Sequence, residues 1–298
     1  GTCLSFLAPF LARPRFMAPP RPPLEVDPPR APPGKYPLND AVRGVAYSDL
    51  SVEETFSHIY ATDAWGKGSG AGSVPVHCLK WIEFVRQFIR QEKVQSVVDL
   101  GCGDWQFSPY IYHDLDVRYT GYDVVLPVIE ANRKRWADEG YTFEHLEFST
   151  HVPEIRDADL YILKDVLQHW SSARISRFLR EVLASKPRLR YILLCNCAEP
   201  EDWPEDDIGD GGWRPLFAHR SPLREFSPTV LMHFPSLPNK KEVCILRPSA
   251  AAASAPAPGC QHRGASCRCL RCRREYFTVE DCRRHRRHPP LRPRFTTV

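Results

Sequence analysis

Asp99, Gly101, Gly103 and Asp123 are the first residues whose types and spacing suggest a bound ligand. A carboxylate accepts hydrogen bonds from ligand hydroxyls or amines, and a glycine pair lets the backbone turn sharply and come close where a Cβ would clash. A second set follows in Lys164-Asp165-Val166-Leu167-Gln168-His169-Trp170. If that run is helical, Asp165 and His169 stand four apart on one face, and the carboxylate can orient an imidazole able to take a proton near neutral pH. The alternative is that His169 packs structurally while Asp165 caps the helix. A third set, Trp213 and Arg214 in the glycine-rich stretch 207–216, offers a flat face and a fixed cation to a carboxylate, phosphate or ring. A tight turn with a packed tryptophan is the competing reading.

These residues need a scaffold, and the apolar pattern supplies one. Positions 94–100 are short, β-branched and stopped by Gly101, the signature of a strand buried on both faces of a parallel sheet. Further strands are expected at 118–125, 143–148, 159–163 and 191–195, with a closing antiparallel pair at 229–232 and 242–246. Helices are expected at 76–93, 126–138 and 172–185, and order begins near Ser51, where Ser51 and Glu54 make a capping pair. Alternation of strand and helix predicts an α/β fold, a doubly wound, seven-stranded, mostly parallel Rossmann-like sheet with its crevice at the carboxyl ends of the strands. That edge would carry Asp99 to Asp104, Asp123 and Lys164 to His169. The loop from Trp65 to Ser73, with Gly66, Gly68, Gly70 and Gly72, is able to wrap a ligand, or to serve as a flexible linker.

A nicotinamide or flavin dinucleotide is one ligand for such a crevice, but its fingerprint wants a third glycine where this chain has Gln106. Asp-Leu-Gly-Cys-Gly followed by Asp123 instead resembles the first two motifs of class I S-adenosylmethionine-dependent methyltransferases. The loops at 65–73, 105–108, 165–170 and 207–216 together resemble a subgroup of that class. The resemblance covers about 55–248. It implies that Asp99 and the backbone at Gly101 and Gly103 hold the methionine end of S-adenosylmethionine and Asp123 the ribose, with Asp104, Trp65 and Lys164 also binding the cofactor. His169 and Asp165 would serve the acceptor, with Trp213 and Arg214 binding it. In relatives an acid after the third strand contacts the adenine; here Ser149 and Thr150 occupy that region.

The 298 residues divide by composition into a Pro-rich segment 1–50, expected to lack regular structure, the α/β domain 51–248, an Ala/Pro linker 249–266 and a basic tail 267–298. The formal charge of +4 hides an asymmetry, because residues 261–298 hold eleven arginines against three acids. A basic tail on a mildly acidic body suggests nucleic acid or a protein surface as a partner. In it, Cys269, Cys272, His285 and His288 nearly reproduce two-cysteine, two-histidine zinc spacing, with Cys260, His262, Cys267 and Cys282 as further ligand candidates. The eleven cysteines suit an intracellular, reducing compartment, the cytoplasm first, and no apolar run is long enough to span a membrane. The expectation is therefore methyl transfer to oxygen or nitrogen of a small molecule or glycan. Methylation of a nucleic acid or protein recruited by the tail, or an inactive scaffold whose finger binds, are the alternatives.

Overall fold

The computed structural model of the chain describes residues 50–248 except 137 and 238, so the N-terminal segment, the linker and the zinc-finger-like tail lie outside the described residues. Helix α1 (Val52–Ala61) begins where Ser51 caps it. The Glu54 N–H donates to Ser51 Oγ at 3.2 Å and the Ser51 N–H to Glu54 Oε2 at 2.8 Å, satisfying donors that a helix start leaves orphaned. Helix α2 (Leu79–Gln91) buries Trp81, Ile82, Val85, Phe88 and Ile89, one apolar stripe laid on the sheet. The short 3₁₀ turn Pro75–Cys78 precedes it in place of a longer helix.

Strands β1 (Ser96–Leu100), β2 (Arg118–Asp123), β3 (Thr142–His145), β4 (Leu160–Lys164), β5 (Tyr191–Cys197), β6 (Thr229–Phe234) and β7 (Lys241–Leu246) form one sheet of order β3-β2-β1-β4-β5-β7-β6. All neighbours are parallel up to β5, and β7 pairs antiparallel with both β5 and β6. This is the doubly wound, seven-stranded, mostly parallel Rossmann-like sheet that the alternating pattern predicts. Helices α3 (Pro109–Tyr112), α4 (Leu126–Trp136) and α5 (Ser172–Ser185) complete the layers.

Period-two alternation sorts the core into two layers. Val98, Leu100, Tyr161, Leu163, Ile192 and Leu194 fall in one cluster, and Val97, Leu160, Ile162, Leu193 and Cys195 in the other. Because β1 and β4 are buried along their whole length, the strand order reverses between them with no slack, and their carboxyl ends open into a shared crevice. Two expectations shift. Strand β3 stops at His145, three residues early, and 165–170 is not an α-helix but a single 3₁₀ turn at Leu167–His169.

Candidate active site

Beyond β1 the chain reverses through Gly101 (φ 81°) and Gly103 (φ 56°), both in the left-handed region that favours glycine. A Cβ at Gly101 would strike Val166, and one at Gly103 would strike the Ser69 hydroxyl. The turn is held from β2: Asp123 Oδ2 accepts the Gly103 N–H at 2.9 Å and Oδ1 the Val125 N–H at 3.0 Å. Burial pushes the Asp123 carboxyl up, and these backbone donors pull it back. Each oxygen keeps a lone pair for a ligand.

Asp99 lies beneath the turn, and Tyr119 donates to its Oδ2 at 2.8 Å while Trp105 Nε1–H donates to Tyr119 at 2.8 Å. Burial outweighs the Tyr119 hydrogen bond and pushes Asp99 up to about 7. The glycine-rich loop covers the turn from above. Ser69 N–H donates to Asp104 Oδ2 at 3.1 Å, Asp104 N–H returns a bond to Ser69 Oγ at 2.9 Å, and Tyr60 shares a 2.7 Å bond with the same hydroxyl. Asp104 Oδ1 is buried without a partner. Asp104, a cofactor-binding candidate from the sequence, is not among the residues that line the cleft.

The cleft so formed encloses about 900 Å³, its open mouth included. Its walls bring together Trp65, Asp99, Gly101, Gly103, Asp123, Lys164, Asp165 and His169, and add Phe56, Tyr60, Glu147 and Phe148. Lys164 Nζ donates to Asp165 Oδ2 at 2.6 Å and to the Gly72 carbonyl at 2.8 Å, and sits 5.0 Å from the centre of the Phe107 ring. The His169 ring packs on Trp65 at 4.7 Å between centroids and edge-on to Phe56 at 6.3 Å.

Asp165 does not orient His169. Without a helix the two do not share a face; Asp165 (φ 58°) turns its carboxylate to Lys164 and Lys241, and the Gly212 carbonyl accepts from His169 Nδ1 at 2.8 Å. That bond fixes the tautomer with the proton on Nδ1, leaving Nε2 as an acceptor, to which the Gln168 amide donates a long bond at 3.5 Å. Burial lowers the His169 pKa to about 4 against the upward pull of Gly212, so the ring is neutral at pH 7.

Trp213 and Arg214 do not line the cleft. Arg214 is 5 % exposed and donates to Asp207 at 2.7 Å, to the Trp170 carbonyl at 3.1 Å and to Ser172 at 3.1 Å, while Trp213 meets Trp203 edge-on at 5.3 Å. Their loop serves the cleft through the Gly212 carbonyl instead. Among the described residues no cluster of three or more His, Cys, Asp or Glu could hold a metal, and the tail's candidates lie outside them.

Sequence reasoning missed Glu147 and Phe148 because it ran β3 to 148; with the strand ending at His145, they fall in the loop beside the cleft. Lys241 was missed because it lies far along the chain on β7, in register with Cys197.

Residues 71–207 match the family model of the O-methyltransferase domain. No curated protein sequence matches the chain. Among solved structures, the chain is similar to the mitomycin 7-O-methyltransferase MmcR, at 20% identity and TM-score 0.48 over 70% of this chain and 66% of that one. Magnesium protoporphyrin IX methyltransferase (ChlM) from Synechocystis PCC 6803 with bound SAM is similar at 15% identity and TM-score 0.44, over 71% and 97%. An O-methyltransferase family protein from Burkholderia thailandensis is similar at 14% and 0.43, over 58% and 57%. The matched stretch includes the β1/β4 reversal and the cleft it opens. The enzyme is an S-adenosylmethionine-dependent methyltransferase, and no helix among the described residues is long and apolar enough to cross a membrane.

Proposed function

We infer that the enzyme methylates a hydroxyl oxygen of a small, largely apolar molecule, with His169 as the proton acceptor. When bound, S-adenosylmethionine supplies a methyl already activated by its sulfonium. The residues fit that molecule: Asp123 has lone pairs for the ribose hydroxyls, and Asp99 and the Gly101 to Gly103 backbone suit the methionine end. Lys164 faces the same side, and Glu147 and Phe148 lie on the wall toward β3. The chain's own task is then to align an acceptor and remove its proton.

The observation that carries this reading is the fixed, neutral imidazole. His169 donates Nδ1–H to Gly212 and presents Nε2 within an aromatic wall of Trp65, Phe56 and Trp170, where a planar acceptor would stack and a hydroxyl would find a base. Asp165, at charge distance, favours the imidazolium that forms on proton transfer, while Lys241 opposes it. The test is conversion of S-adenosylmethionine to S-adenosylhomocysteine by the full-length chain across a panel of phenols and catechols, comparing wild type with His169→Gln. Turnover lost in the variant while S-adenosylhomocysteine still binds supports the reading; equal turnover removes His169 from the chemistry.

A nucleic-acid or protein acceptor recruited by the arginine-rich tail is the second reading, resting on composition alone. Zinc on Cys269, Cys272, His285 and His288 is likewise proposed from spacing, and metal analysis of the purified chain tests it.

A further inference from the structure

Three charged groups meet at the wall of the cleft, which Lys164 and Asp165 line with Lys241 behind them, and they do not balance. Asp165 accepts from Lys164 Nζ at 2.6 Å on one oxygen and from Lys241 Nζ at 2.5 Å on the other. The side chains of Lys164, Lys241 and Asp165 are 6 %, 2 % and 18 % exposed, so two ammonium groups share one carboxylate almost out of reach of water. Burial opposes charge on all three, yet their mutual attraction overrides it, keeping both lysines well above and Asp165 well below their usual ranges. Lys241 also lies 3.0 Å from Cys197 Sγ, but a thiol accepts a hydrogen bond only weakly. A buried, uncompensated positive charge is costly, and an anionic ligand group would relieve it.

We propose that Lys241 is a positioning residue for the methyl donor: by sharing Asp165 it leaves Lys164 with the surplus charge that takes the donor's carboxylate. The inference rests on the methyltransferase reading of this cleft and deepens it. Placement favours the donor over the acceptor. In the sheet register Asp99 lies opposite Ile162, so Lys164, two residues on, faces the same side of the sheet as Asp99. An amino-acid zwitterion would find an oxygen acceptor for its ammonium on β1 and a cation for its carboxylate on β4, both lining the cleft. Lys164 also holds the Gly72 carbonyl, tying the glycine-rich loop to the same charge. Lys241 touches no ligand and acts only through Asp165.

The probe pair is S-adenosylmethionine and its decarboxylated form, titrated calorimetrically into the full-length chain. Wild type is expected to favour the carboxylate-bearing donor by about tenfold or more, the worth of one charge-assisted hydrogen bond. In Lys241→Met, which leaves Lys164 and Asp165 as a neutral pair, that preference is expected to fall to about threefold or less, with the decarboxylated donor bound as in wild type. Lys241→Gln serves as a second variant should the methionine chain fail to fold. A purely structural role would weaken both donors alike and leave the ratio intact, and that result overturns the proposal. So does equal affinity for the two donors in wild type, a measurement that needs no variant. If folded wild type binds neither donor nor S-adenosylhomocysteine, the methyltransferase reading fails with it, whereas binding with an unchanged ratio sinks only the role of Lys241.

Discussion

The donor side and the acceptor side of the cleft are built from different materials. The proposed donor side is a turn of backbone: two left-handed glycines after β1, held by the Gly103 N–H bond to Asp123 at the end of β2. The acceptor side is an assembly of side chains from distant segments, with Phe56 from α1, Trp65 from the glycine-rich loop, His169 after β4 and the Gly212 carbonyl that orients it. A backbone device depends on local spacing and tolerates few substitutions, while a side-chain wall can be changed one residue at a time. In the proposed reading one half holds the cofactor, and the other sets what is methylated.

The largest expected effect separates the halves. His169→Gln should lower kcat by about 10²- to 10⁴-fold, the usual worth of a positioned base, and leave donor affinity within about threefold, since the ring acts on the acceptor side. Single-turnover rates beside calorimetric titration decide it, and a parallel collapse of donor binding would show that the halves are one unit. Asp123→Ala is the converse. It removes an acceptor for ligand hydroxyls and orphans the Gly103 and Val125 N–H groups, so donor affinity should fall by about 10- to 100-fold.

The two halves also carry opposite pH slopes. Asp99, raised to about 7 from 3.8, holds its proton in the folded state where the unfolded chain has lost it, so the folded state loses stability as pH rises from about 4 to 7. His169, lowered to about 4 from 6.5, does the reverse: its contribution is present above 6.5 and is lost as pH falls toward 4. Across that window the two offset each other. Asp99→Asn cannot ionise, and its gain over wild type should grow from near zero at pH 4 to about 2–4 kcal/mol at pH 8. Urea unfolding at both pH values measures it; a pH-independent difference would mean that the Asp99 carboxyl titrates alike in both states.

The glycine turn and its flanking acids were legible in the sequence because their cause is local. Asp99, Gly101, Gly103 and Asp123 sit at strand ends that short apolar runs already mark, and a strand's carboxyl end fixes where its next residues emerge. The acceptor side was legible only as residue types. His169 was found, but its partner was taken to be Asp165, because spacing of four implies a shared face only in an α-helix, and here the chain makes a 3₁₀ turn with Asp165 in a left-handed conformation. Lys241 had no signal at all: a lysine at the start of an apolar strand reads as a solvated end until the sheet order places β7 beside β5. Glu147 was hidden by a strand boundary misplaced by three residues, the kind of error that periodicity cannot correct in a short run.

The smallest expected effect tests the edge of the acceptor side. Residue chemistry alone made Trp213 and Arg214 attractive as acceptor ligands, but Arg214 is committed to Asp207, Ser172 and the Trp170 carbonyl, and Trp213 leans on Trp203 away from the cleft. Their neighbour Gly212 still orients His169, so a substitution that disturbed the loop backbone would register in kcat. Trp213→Ala leaves that backbone free to keep its course. It should cost about 1–2 kcal/mol of stability, the value of one half-buried aromatic contact, and leave both kcat and the KM for the acceptor unchanged. A rise in KM of about tenfold, equal to 1.4 kcal/mol of lost binding, would carry the acceptor wall out along the loop to Trp213. A fall in kcat alone would mean that Trp213 holds the Gly212 carbonyl in place, making the loop a support for the imidazole rather than a surface for the substrate.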